Sequence, residues 1–159
     1  MSAIRRILVG SDPRRTAVRI GVLAVISFVT FRWVLIPIRA EGVSMLPTYQ
    51  SGTLHFVNRL SYSSSARPAR RDIVAIRLGG EHVLYVKRVI GLPGERVRVT
   101  GGQIFIDGVP LDEPYVRGKA RDLAETLLDR DVYFVIGDNR SQSDFGRVEA
   151  SRIAGKVIF

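Results

Sequence analysis

No cysteine occurs among the 159 residues, so disulfides, zinc–thiolate sites and a cysteine nucleophile are excluded. The absence leaves the compartment open, because many exported proteins also lack cysteine. Histidine is nearly absent too. His55 and His82 stand alone, without a second ligand at metal spacing, and read as structural or surface residues. A phosphate-binding glycine loop is missing, since Gly91-Leu92-Pro93-Gly94 has no lysine–serine pair behind it. A Ser-His-Asp triad stays open in principle, although neither histidine has a marked setting. Hydrophobic residues make up 46% of the chain, which excludes a disordered protein and allows one domain with a core. Nothing here requires a metal or another cofactor.

Acidic side chains are scarce at one end only. Residues 1–39 carry seven arginines (Arg5, Arg6, Arg14, Arg15, Arg19, Arg32, Arg39) against Asp12 alone, whereas residues 40–159 carry 17 basic and 14 acidic side chains. A net charge of +9 would suit a nucleic-acid binder if it formed one surface. Gathered beside an apolar run it reads differently, and no nucleic-acid partner is expected. Residues 20–31 read IGVLAVISFVTF, and WVLIPI follows Arg32 to end at Ile38. At roughly 1.5 Å per residue, a helix over 20–38, loosening at Pro37, can cross a hydrocarbon layer of roughly 30 Å and contact lipid. A central arginine costs about 2.5–3.5 kcal/mol on insertion scales. Arg32 lies two-thirds of the way along and can snorkel to the far surface.

Five arginines precede the run, so the positive-inside rule keeps residues 1–19 cytoplasmic and exports residues 40–159. A cleaved signal peptide competes with this reading, because Ala40-Glu41-Gly42 loosely fits a small-x-small site. The length of the apolar and basic regions favours a retained anchor. A buried core helix is a third reading, opposed by the lack of a polar face.

Beyond Glu41 the helical period disappears. Apolar runs at 53–57, 72–78, 82–90, 96–100, 103–107, 132–136 and 153–159 are rich in Val, Ile, Phe and Tyr and separated by Gly, Pro and Ser. That is the pattern of antiparallel strands in one mostly β domain. Gly101-Gly102 between two such runs predicts a hairpin. Residues 61–71 read as a polar loop, and 121–130 (RDLAETLLDR) as a short helix with Leu123, Leu127 and Leu128 inward.

Three stretches carry candidate chemistry. Gly42-Val43-Ser44-Met45-Leu46-Pro47-Thr48 follows the apolar run directly, and its glycine permits a tight turn that brings amides near a reacting carbonyl. Lys87 lies in Tyr85-Val86-Lys87-Arg88-Val89-Ile90-Gly91-Leu92-Pro93-Gly94. On a strand it shares a face with Val83, Tyr85 and Val89, while Arg88 points the other way. A lysine among apolar groups is expensive to charge, and a neutral lysine can take a proton from a serine. The third stretch, Gly137-Asp138-Asn139-Arg140-Ser141-Gln142-Ser143-Asp144-Phe145-Gly146, reads alone as a turn. Each has a plain structural alternative: a turn, a snorkelling lysine, another turn.

In this order behind an apolar anchor, the three stretches, with a strand at Arg71-Asp72-Ile73-Val74, resemble the boxes of signal peptidase I over roughly residues 33–159. The resemblance implies a signal-peptidase-like antiparallel β catalytic domain behind one N-terminal transmembrane helix. It implies that Ser44 is the nucleophile and Lys87 its general base, that Ser143 orients the lysine, and that the Ser44 backbone N–H is one oxyanion donor. Gly42 replaces a serine that supplies a second donor in some members. The last box is shortened, reading Ser143-Asp144-Phe145-Gly146-Arg147, so the usual ion pair of Asp144 with Arg147 is not assured. Asp138 is instead expected opposite Arg88.

The implied activity is removal of signal peptides from membrane-bound preproteins through an acyl-enzyme, at the cytoplasmic membrane of a bacterium. Three alternatives remain open on sequence: a specialised relative that matures pilins, an organellar inner-membrane relative, and an inactive membrane-tethered β-domain that binds preproteins.

Overall fold

The computed structural model describes residues 12–62, 66–77 and 84–158; the histidine at 82 and the ends of three expected strands lie outside them. Contacts divide the chain into two units, one ending at Leu35 and one running from Ile36.

Helix α1 spans Pro13–Val29. Asp12 caps it, accepting from the Arg14 and Arg15 amides at 3.0 and 3.4 Å, and Pro13 occupies the first turn where no amide partner is needed. One wide π turn, Thr30–Val34, extends the helical stretch to 22 residues. Its large apolar side chains, among them Ile20, Leu23, Val25 and Phe28, are exposed along its length.

The apolar run is therefore not helical to Ile38. Leu35–Ala40 forms strand β1. Pro37 disfavours a helical Ile36, and the β-branched Ile36 and Ile38 fit the extended chain.

The second unit holds two sheets. Thr53–Asn58 is β2, Ile73–Arg77 β3, Leu84–Gly91 β4, Val132–Ile136 β9, Gly146–Glu149 β10 and Ile153–Ile158 β11. With β1 they form a seven-stranded sheet in the order β1-β2-β11-β3-β4-β9-β10. Arg96–Thr100 is β5, Gln103–Ile106 β6, Val109–Pro110 β7 and Leu123–Leu127 β8, giving a four-stranded sheet in the order β7-β6-β5-β8. Every pair with a described register is antiparallel, and Gly101-Gly102 closes the β5–β6 hairpin as expected.

Strand β9 and the end of its neighbour β4, from Val89 to Gly91, are covered on both faces, so these stretches read as apolar runs. Ile90, Phe134 and Ile136 pack with Val97, Val99, Ile104 and Leu128 of the smaller sheet and its loop. Val89, Tyr133 and Val135 pack on the opposite face with Val74, Ile76 and Val148.

The helix expected over 121–130 is instead strand β8, paired with β5. A ten-residue helix is marginal in water, whereas the open edge of β5 offers backbone partners. Leu128 is buried, but Leu127 is 52% exposed, so the two leucines do not share an inner face. Leu128→Ala should cost about 2–5 kcal/mol of stability and Leu127→Ala under about 0.5 kcal/mol. Urea unfolding of the full chain in detergent would measure both; equal costs would contradict the strand.

Candidate active site

Strand β4 presents Lys87 and Arg88 on opposite faces, and both find partners. The Lys87 Nζ donates to Ser143 Oγ at 2.7 Å. That hydroxyl also accepts from the Gly137 amide at 2.8 Å and donates to the Asp144 carbonyl at 3.1 Å. One proton and two lone pairs are thereby fully used. Ser143 can only accept from the amine, so a neutral Lys87 keeps its own lone pair for another proton. Burial pushes the Lys87 pKa below the ordinary lysine value of 10.5, with desolvation as the cause.

Ser44 sits in the turn that leaves β1. Met45 is buried and anchors the turn, and the Tyr49 amide donates to the Met45 carbonyl at 2.9 Å. The turn is fastened to the 137–140 turn at three points. The Asn139 amide donates to the Ser44 carbonyl at 2.9 Å, and Asn139 Nδ2 to the Val43 carbonyl at 3.1 Å. Thr48 Oγ1 donates to the Asp138 carboxylate. A Cβ on Gly137 would lie 2.3 Å from the Ser44 carbonyl oxygen and 2.6 Å from Ser143 Oγ. Only glycine permits both approaches.

Ser44 and Lys87 line one cleft of about 350 Å³, bounded also by Gly42, Met45, Tyr49 and Tyr85. Tyr49 stacks on His55, with ring centroids 3.9 Å apart. His55 is buried and lies 2.7 Å from Thr53 Oγ1, a structural setting. Gly42 has φ +94°, and its amide donates to Ser51 Oγ at 3.1 Å.

Behind the lysine face lies a buried ion pair. Arg88 Nε and Nη2 donate to Asp138 at 2.8 and 2.5 Å, joining the lysine strand to the last turn. Asp138 has no exposed surface, and Thr48 shares its carboxylate. Breaking one partner of such a pair leaves an uncompensated buried charge. Asp144 does not meet Arg147: its described ion pair is with Arg121, and both side chains are largely exposed. The shortened box places Gly146–Arg147 at once into β10, which carries Arg147 away.

The sequence singled out Arg140 within the 137–140 box but not its partner Glu113, nor Tyr115. The Arg140 guanidinium donates to Glu113 at 3.1 and 2.6 Å, with side-chain exposures of 1% and 7%. The Tyr115 ring lies 4.1 Å from the Arg88 guanidinium carbon. The only signal was an Asp-Glu-Pro-Tyr run at 112–115 in an otherwise polar connection.

The family model described as signal peptidase, peptidase S26, matches residues 14–159. Signal peptidase I of Bacillus caldolyticus is 38% identical over 138 residues, covering 75% of each chain. A signal peptidase I of Bacillus amyloliquefaciens is 36% identical over 156 residues, covering 87% of this chain and 82% of its own. A crystal structure of a signal peptidase I from Enterococcus faecalis V583 superposes with a TM-score of 0.50 at 30% identity, covering 60% of this chain and all of the other. The expectation of a signal-peptidase-like serine protease therefore holds, and the chain belongs to the signal peptidase family, peptidase S26.

Proposed function

We propose that this chain is a membrane-bound endopeptidase that removes N-terminal signal peptides from exported preproteins, with Ser44 as nucleophile and Lys87 as general base. The observation that carries the reading is the half-buried Lys87 amine, fixed by a hydroxyl that cannot occupy its lone pair, on the cleft that Ser44 lines. Neutral Lys87 takes the Ser44 proton as Oγ attacks the scissile carbonyl. The oxyanion is held by the Ser44 backbone N–H together with a second donor other than a side chain at Gly42. The protonated lysine gives its proton to the departing amine, leaving an acyl-enzyme. Water, deprotonated by the neutral Lys87 amine, then attacks the ester; the lysine returns that proton to Ser44 Oγ as the signal peptide leaves with a free carboxylate.

The helical stretch over Pro13–Val34 serves as the anchor. At roughly 1.5 Å per residue it spans about 33 Å, and its bare apolar surface needs lipid around it. The arginines at its start set the N-terminus on the cytoplasmic side of a bacterial membrane and the catalytic domain on the outer side. Anchor and preprotein then share one membrane, which raises the effective concentration of substrate.

Ser44→Ala and Lys87→Ala should each lower cleavage of an Ala-x-Ala preprotein in detergent or liposomes by a factor on the order of 10⁴ or more. Cleavage by either variant near the parental rate would contradict the assignment.

The base form of lysine is the neutral one, so activity should rise with pH. Because burial lowers the Lys87 pKa, the rise should centre below 10.5. A rate–pH profile of kcat/KM reads this directly; a rise centred at or above 10.5 would remove Lys87 as the base.

A further inference from the structure

The connection between β7 and β8 belongs to neither sheet, yet Glu113 and the residues after it grip the turn that carries the site. The Arg117 amide donates to the Asp138 carbonyl at 3.0 Å, and the Arg140 amide to the Arg117 carbonyl at 2.7 Å. Tyr115 lies over Arg88 and donates from its hydroxyl to Glu113 at 2.8 Å. A Cβ on Gly118, at φ +73°, would fall 2.0 Å from Ser141 Oγ, so this backbone lies directly against the turn. The strongest grip is the buried pair of Glu113 with Arg140.

Arg140 has a second task. Its Nε donates to the Gly137 carbonyl at 3.0 Å while its two terminal nitrogens hold Glu113. The Gly137 peptide is therefore fixed at its oxygen by Arg140, and the amide of the same residue donates to Ser143 Oγ. A buried ion pair contributes little net stability compared with an apolar replacement. Its planar fork does fix direction.

We propose that Glu113 is a positioning residue for the dyad: through Arg140 it fixes Gly137, and through Gly137 the Ser143 hydroxyl on which the Lys87 amine rests. The inference rests on the reading of Lys87 as the base. It assigns the smaller sheet a task, since its β7–β8 connection delivers the carboxylate that holds the catalytic turn.

The test is preprotein cleavage by the full chain in detergent, with kcat and KM followed across pH. Glu113→Gln should lower kcat about tenfold to a hundredfold with KM within about twofold, because the displaced groups lie behind the cleft. The pH midpoint should move upward by about half a unit as Lys87 loosens towards water. Loss of a negative charge alone would move a lysine midpoint downward, so the direction separates positioning from simple electrostatics. Arg39, Glu41, Tyr49 and Tyr85 around the cleft, Asp144 beside Ser143, and the Arg88–Asp138 pair behind the strand are unchanged in this variant. Glu113→Asp should restore part of both kcat and the midpoint.

Arg140→Lys keeps a cation for Glu113 but loses the fork to Gly137, and it should reproduce the loss if Glu113→Gln does not fold. Folded variants with parental kcat and midpoint, a loss confined to KM, or failure of both variants to fold would overturn the proposal. Lys87→Ala is run beside them. An inactive Lys87→Ala with an unaffected Glu113→Gln refutes the positioning role alone, whereas an active Lys87→Ala refutes the base on which it rests.

Discussion

The proposed proton transfer depends on one saturated hydroxyl. Ser143 Oγ accepts from the Lys87 amine and from the Gly137 amide and donates to the Asp144 carbonyl. With its proton committed to a carbonyl, it cannot donate to the amine. A neutral lysine held this way has a fixed position, a partner for one N–H and an unshared lone pair. Those are the needs of a general base, and burial supplies the remaining one by making the charged form costly.

The lysine strand and the serine loop are both fastened to the turn that precedes that hydroxyl. Strand β4 supplies the lysine, with Arg88 on its other face paired to Asp138 in the 137–140 turn. Gly137 lets the Ser44 carbonyl and Ser143 Oγ approach the same backbone position, where any side chain would collide with both. Asn139 then ties the serine loop down through two carbonyls. Each tie ends on the 137–140 turn, so the geometry of that turn sets the separation of the proposed nucleophile and base.

Strands with strong alternation or an apolar run were legible in the sequence, as β5, β6 and β9 illustrate. The glycine pair fixed their hairpin. Strand β8 was not, because Leu123, Leu127 and Leu128 fit a helical face as well as an extended chain. The partner that decided the matter was the distant edge of β5. Leu35–Ala40 was hidden for a different reason: its composition continues the apolar helix, and only Pro37 marks the change.

At the site, the Ser44 loop, Lys87 and the 137–143 turn were legible as boxes in order. Glu113 was not, since a carboxylate in a polar connection carries no local sign that it will be buried against Arg140. The absent Asp144–Arg147 contact follows the same logic, because chain direction into β10 decides it rather than residue type.

Only three lysines occur in the chain, Lys87, Lys119 and Lys156, so their side-chain signals can be resolved by NMR in protein carrying isotope-labelled lysine. A pH titration of the full chain in detergent, with Lys87→Ala to identify the signal, reads the protonation of the amine without reference to turnover. The Lys87 signal is expected to titrate below 10.5 if burial holds the amine neutral as proposed. A Lys87 signal that titrates at or above that value would contradict the proposal.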